Sequence, residues 1–230
     1  MYRIGLLIPS SNTVMEPNFY EMAPNGVTVH SARMRLIDFN QRDLLGMLDD
    51  VGRETELLAS AGVDTIVYGC STCSLMGGMD WETVLVQQIE FETGISVFTV
   101  NQAVVEALRR LEGGRIGVVT PYVYDLNKLE KAYLVAYGLE VVSCKGMGLH
   151  DPRDISFVKE DAILSLVEQV AGDADILYIS CTNLPVIHLI ESIEALYGVP
   201  VVTSNQAAMW AALENMSHEK VVGYGKLFSL

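Results

Sequence analysis

The chain has 230 residues, 50% of them hydrophobic, and a formal net charge of −14. That is enough apolar material for one large domain or two small ones, while the acidic balance disfavours nucleic acid, whose phosphates need a basic surface. The same charge gives no long-range steering of an anionic substrate, so any anion must be held by local donors. The longest apolar runs are of strand length, which predicts no membrane partner, and Met1-Tyr-Arg-Ile-Gly-Leu-Leu-Ile-Pro9 has too short an apolar stretch for a signal peptide. Four cysteines without a regular framework fit free thiols in a reducing, cytoplasmic setting.

In chain order, strands are expected over 3–8, 27–33, 64–69 and 97–99, then over 115–120, 139–144, 175–180 and 199–203. Helix-length stretches lie between them at 41–60, 81–92, 101–111, 126–137, 160–171 and 185–197. Continuous β-branched strands alternating with helices indicate a parallel sheet covered on both faces. The expected fold is therefore α/β, with two doubly wound lobes of four parallel strands each and the site in the cleft between them. The plainest break is Glu112-Gly-Gly114, so residues 1–112 form the first lobe, with Cys70, and residues 113–230 the second, with Cys181. The segment from about 204 is a candidate to pack back on the first lobe.

The halves repeat one another. The run from Gly62 to Thr72 recurs from Asp173 to Asn183, so Cys181 stands 111 positions after Cys70. Gly5-Leu-Leu-Ile-Pro9 recurs as Gly117-Val-Val-Thr-Pro121, and the run from Gly94 through Asn101 to Ala103 recurs from Gly198 through Asn205 to Ala207. Three matched segments in one order argue for a duplicated half. In open α/β sheets ligands sit beyond the carboxyl ends of strands. Both repeated cysteines fall at such ends, as do Ser10-Ser11-Asn12 and Tyr122.

Each motif carries an ordinary and a chemical meaning. Thr13 and Glu16 have capping-box spacing, which predicts a helix start there and, with Ser10, Ser11 and Asn12, an anion cradle; the plain alternative is a capped turn. Cys70-Ser-Thr-Cys73 has redox spacing, but only Cys70 has a counterpart in the repeat, so Cys73 and Cys144 are taken as small packed hydrophobes. Cys70 and Cys181 form the stronger signal. A helix N-terminus lowers a thiol pKa, and Ser71, Thr72, Thr182 and Asn183 supply donors for a carboxylate or a developing enolate. The alternative is two buried structural cysteines. His30, His150, His188 and His218 show no metal-ligand spacing, and no phosphate-binding glycine loop occurs, so neither a metal nor a cofactor is expected.

These residues resemble the aspartate/glutamate racemase superfamily, which implies two pseudo-symmetric lobes with one catalytic cysteine each. Ile8-Pro-Ser-Ser-Asn12-Thr-Val-Met-Glu16, Tyr68-Gly-Cys70, Thr120-Pro-Tyr122 and Cys181-Thr-Asn183-Leu are similar to motifs of its maleate cis–trans isomerase and arylmalonate decarboxylase branch. The resemblance makes Cys70 the nucleophile, Cys181 the acid/base, and Asn12 and Tyr122 carboxylate binders. It also implies a homo-oligomer, dimer or tetramer. Amino-acid racemases carry an aspartate where Ser10-Ser11-Asn12 stands, and the decarboxylases have glycine at the first cysteine. The expected activity is thus cofactor-independent cis–trans isomerisation of a small unsaturated dicarboxylate. Alternatives are a racemase or epimerase of amino acids or hydantoins, a malonate-type decarboxylase, and a dicarboxylate-binding regulator. Asp151-Pro152 departs from the Asp-Asn pair of the maleate isomerases.

Overall fold

The computed structural model describes residues 1–37, 41–214, 216 and 219–230, with residues 41–45 described for their backbone alone; His218 lies outside the described residues. The elements run β1 (Tyr2–Pro9), α1 (Met15–Met22), β2 (Val27–Met34), α2 (Gln41–Ser60), β3 (Thr65–Tyr68), α3 (Ser71–Thr93), β4 (Ser96–Thr99) and α4 (Val100–Arg110). They continue as β5 (Arg115–Tyr122), α5 (Tyr124–Ala136), β6 (Glu140–Leu149), α6 (Glu160–Ala171), β7 (Ile176–Ile179), α7 (Ile190–Tyr197), β8 (Val201–Thr203) and α8 (Ser204–Leu213). The strands form two four-stranded parallel sheets, ordered β2-β1-β3-β4 and β6-β5-β7-β8. Every residue of β3 and β7 is buried, as apolar strands covered on both faces require. The expected α/β class and sheet arrangement hold.

The repeat extends to individual hydrogen bonds. Asp64 accepts the N–H of Arg3 at 2.7 Å, and Asp175 accepts that of Arg115 at 3.0 Å. Glu90 takes the N–H of Val97 as Glu194 takes that of Val201. Thr99 with Gln102 and Thr203 with Gln206 form matching capping boxes. Between the halves, α4 packs on α8. Fully buried Glu82 on α3 accepts from Thr99 at the start of α4 and from Tyr133 of α5. One apolar core runs through both sheets, and a smaller one fills the space beneath α2 and α3.

Four local features depart from the sequence reading. Helix α3 begins at Ser71 rather than near 81, and its first turns are separated from the rest at Gly78, whose φ of 75° breaks the helical path. Ser-Thr-Cys-Ser and a Gly pair are weak helix formers, which hid those turns. At α1 no capping box forms: Glu16 pairs with Arg33 at 2.9 Å, and the Asn12 side chain takes the N–H groups of Val14 and Met15. The stretch 185–197 divides into a 3₁₀ turn, Ile187–Leu189, and α7. Helix α8 was not anticipated; it is buried on nearly all sides, packing on α4 and α1, so it shows no amphipathic stripe. Among the described residues no helix is long and apolar enough to cross a membrane.

Candidate active site

In each sheet the strand order reverses between the two central strands, and it is at their carboxyl ends that an open α/β sheet leaves a crevice. The ends of β1, β3, β5 and β7 all open on one pocket of about 330 Å³, part of it open to solvent. Ser11 and Asn12 reach it from β1, Cys70, Ser71 and Thr72 from β3, Tyr122 from β5, and Cys181, Thr182 and Asn183 from β7. These residues, singled out in the sequence for the site, therefore line one cavity, while Ser10 of the expected anion cradle does not. Pro9, Leu36, Pro152 and Ile155 complete it as an apolar wall.

The two thiols are buried, Cys70 to 3% exposure and Cys181 to 7%. Cys70 is the N-cap of α3, and Cys73 stands three residues into the same first turns. The expectation of a thiol acidified by the helix start is corrected here. The hydrogen bond shared with Cys73, then burial, pushes the Cys70 thiol well up, outweighing the Cys73 N–H that pulls it down. The same hydrogen bond holds Cys73 below its ordinary value. The two thiols therefore shift in opposite directions through the hydrogen bond between them, with the Tyr68 hydroxyl also favouring the Cys73 anion. Burial pushes Cys181 up to about 11, against the N–H of Asn183 and the Tyr122 hydroxyl, which favour its anion.

Cys181 also has a φ of 97°, a region a side chain enters only when its surroundings hold it there. The holding contacts are specific. Its N–H donates to Ser204 Oγ at 3.0 Å, its carbonyl accepts from Leu184, and Asn183 N–H approaches the sulfur at 3.4 Å. The result aims Sγ into the pocket wall shared with Tyr122.

Several expected substrate donors are already engaged in joining the halves. Asn12 Nδ2 donates to Thr182 Oγ1 at 2.9 Å, and Thr182 Oγ1 donates to the Gly69 carbonyl at 3.1 Å. Asn183 accepts the Thr13 N–H at 2.9 Å and donates to the carbonyls of Pro152 and Ser11. Ser71 differs: its hydroxyl is buried with no hydrogen-bond partner. Together with the free N–H groups that begin any helix, here those of α3, it leaves donors for an anion.

Other residues singled out in the sequence take different places. Ser10 exchanges hydrogen bonds with the backbone of Leu36 and fixes that wall. Asp151 turns outward to a bidentate pair with Arg153, which holds its carboxyl down at about 2, while Pro152 presents its carbonyl to Asn183. His30 bonds Thr28 and His188 meets Glu160, both away from the pocket. Behind Cys181 lies buried Glu130, the one carboxylate on the apolar face of α5; that position, among Leu126, Tyr133 and Leu134, was the available clue.

Comparison with known proteins finds relatives along the whole chain. The arylmalonate decarboxylase family model matches residues 4–228. The chain is 30% identical to the maleate isomerase of Pseudomonas putida over 250 residues, covering all of this chain and 98% of the relative. Its structure is similar to that of a maleate isomerase variant from Pseudomonas putida S16 with maleate, at a TM-score of 0.93 and 26% identity, covering 99% of this chain and 97% of the other. It is equally similar to a cysteine-to-serine mutant of the Nocardia farcinica maleate cis–trans isomerase with a covalently bound succinylcysteine intermediate, at a TM-score of 0.92 and 26% identity, covering 99% and 98% of the two chains.

Proposed function

The chain belongs to the arylmalonate decarboxylase family, and we propose that within it the protein is a cofactor-independent cis–trans isomerase of a small unsaturated dicarboxylate, maleate to fumarate being the simplest case. The observation that carries this reading is that two buried thiols from opposite halves line one small pocket. A decarboxylase that protonates from one face needs one thiol; a chain with both can add one sulfur to an alkene and manage the proton with the other.

In this mechanism a substrate carboxylate rests on the Ser71 hydroxyl and the first N–H groups of α3. A proton passed from the Cys70 thiol to a Cys73 thiolate, across the hydrogen bond between them, leaves Cys70 as thiolate and Cys73 as thiol. Its sulfur forms a bond to one alkene carbon as the π pair moves onto the neighbouring carboxylate, giving an enediolate that the donors stabilise. The Cys181 thiol protonates the second carbon, and the former double bond is now single and turns. Cys181 then removes a proton from that carbon, the C–S bond breaks, and the trans diacid leaves with Cys70 restored. Tyr122, hydrogen-bonded to Cys181, steadies its anion between the two proton transfers.

The test is trapping. Cys181→Ser incubated with maleate should gain the mass of one diacid, mapping to the Cys70 peptide, while a racemase would show no adduct. Absence of an adduct on either cysteine while wild-type protein forms fumarate would overturn the covalent route. The same reading divides the chain into lobes 1–112 and 113–230 and, by family resemblance, makes it a dimer or tetramer; four free thiols fit a reducing, cytoplasmic setting.

A further inference from the structure

We propose that Glu130 is a positioning residue whose negative charge adds to burial in holding the proton on Cys181, and does not act on Cys70. The inference rests on Cys181 being the proton-handling thiol of the pocket, and it concerns a charge that one thiol faces and its counterpart does not.

The geometry is a chain of buried hydrogen bonds. Cys181 N–H donates to Ser204 Oγ at 3.0 Å, and Ser204 lies 3.3 Å from the Tyr178 hydroxyl. The Tyr178 hydroxyl also lies 3.1 Å from Ser180 Oγ. Ser180 Oγ donates in turn to Glu130 Oε2 at 2.8 Å. The chain ends on a carboxylate, which only accepts when ionised. Glu130 is buried to 1% exposure, and its hydrogen-bond partners are the Ser180 and Tyr178 hydroxyls rather than a cation. A buried carboxylate without a cation is costly, so its place directly behind the site invites a functional explanation.

The groups facing Glu130 are Tyr178, Ser180 and Cys181 from β7 and the loop after it, Tyr122 from β5 and Cys144 from β6. Lys131, the neighbour of Glu130 in sequence, acts on Cys144. The Glu130 charge disfavours an anion at Cys181, Cys144, Tyr122 and Tyr178 alike, whereas Cys70 feels Cys73 and Cys181 instead. Burial raises Glu130 itself to about 7, and the Ser180 and Tyr178 hydroxyls oppose that rise. Its charge therefore switches on around neutral pH.

The experiment follows alkylation of the Cys181 peptide by iodoacetamide in the full-length protein, without substrate, from pH 5.5 to 9. Because no turnover is measured, it stands apart from the isomerase reading. The logarithm of the wild-type rate should rise with pH, flatten into a shoulder near pH 7 as Glu130 ionises, and rise again. Glu130→Gln keeps an acceptor for Ser180 and removes the charge. It should give a straight line without the shoulder, with alkylation about tenfold faster above pH 7, the size of a one-unit shift. Superimposable wild-type and Glu130→Gln profiles would overturn the proposal. Ser180→Ala supplies a second reading should Glu130→Gln fail to fold. It retains the charge but removes a hydrogen bond that favours it, so the shoulder should persist and move to higher pH. A shoulder unmoved by Ser180→Ala, or a straight wild-type line, also overturns the assignment.

Discussion

The side chain of Asn12 joins the two halves while capping a helix: its Nδ2 donates to Thr182 Oγ1 at 2.9 Å and its Oδ1 accepts from Val14 and Met15. The anion cradle expected at Pro9-Ser-Ser-Asn12 is therefore shaped by a bond that crosses the cleft. Arg33 reinforces it, donating to the Asn12 carbonyl at 2.7 Å and pairing with Glu16.

Asn12→Ala should therefore cost stability as well as substrate affinity. Loss of the cap and of one buried hydrogen bond removes about 2–3 kcal/mol, read as a lower urea midpoint with an unchanged slope. Asn12→Asp keeps the cap acceptor and loses the donor, so it should recover part of that stability. It should nevertheless raise KM strongly, because a carboxylate now faces an anionic substrate. Wild-type KM values in both variants would show that Asn12 acts on the fold alone.

Cys70→Ser should abolish isomerisation and leave folding intact, since a hydroxyl is not a soft ionised nucleophile near neutral pH. More than about a hundredth of wild-type turnover would contradict that role, a factor set by typical acid/base contributions. Cys73→Ala gives a finer test. The hydrogen bond to Cys73 is the first cause holding the Cys70 thiol up, ahead of burial. Its removal should lower the pH midpoint for alkylation of the Cys70 peptide. A midpoint that rises instead would mean that Cys73 stabilises the Cys70 thiolate as a donor.

The site was legible in the sequence to the extent that its chemistry lies in polar residues at strand ends. Cys70, Cys181, Tyr122 and the Ser/Thr/Asn residues beside them could be found because a duplicated pattern marked the same point twice. Leu36 and Ile155 could not, since an apolar residue in a loop or a short 3₁₀ turn looks the same whether it lines a pocket or fills a core. Helix α8 escaped because burial on all sides erases the 3.6-residue period. The start of α3 escaped because contacts across the lobe, not local propensity, hold its Ser-Thr-Cys turn; Asn101 donates to the Ser71 carbonyl at 3.2 Å. Pairing, too, is invisible in one dimension. Nothing in the order of residues says that Asn183 spends its amide on Thr13 and Pro152, or that Cys73 hydrogen-bonds Cys70.

Glu130 should also leave a mark on stability against pH. Its folded pKa, about 7, lies above the ordinary 4.5, so the folded chain holds a proton that the unfolded chain releases. For an acid raised in this way, no stability is lost below the unfolded value; the loss grows as pH rises towards the folded value and is complete above it. The span corresponds to about 3 kcal/mol. Unfolding free energies measured between pH 4.5 and 8 should therefore fall more steeply for wild type than for Glu130→Gln. Parallel curves would mean that the carboxylate is ionised in the folded chain throughout that range.

Tyr122→Phe separates two tasks that one hydroxyl performs. Tyr122 is buried, lines the pocket and is hydrogen-bonded to Cys181, and that bond favours the Cys181 anion. Removing the hydroxyl leaves burial and the Glu130 charge unopposed by it, so the alkylation midpoint of the Cys181 peptide should move further up. The protein would then struggle to form the Cys181 anion that follows proton donation, and kcat should fall. If the hydroxyl also touches a substrate carboxylate, KM should rise as well, by a factor matching the loss of about 1.5–3 kcal/mol for a neutral donor to a charged acceptor. A fall in kcat with KM unchanged would confine Tyr122 to tuning Cys181. A rise in KM with the alkylation midpoint unmoved would confine it to binding. If neither parameter nor the midpoint changes, the hydroxyl has no part in the reaction, and the carboxylate is held by Ser71 and the first turn of α3 without it.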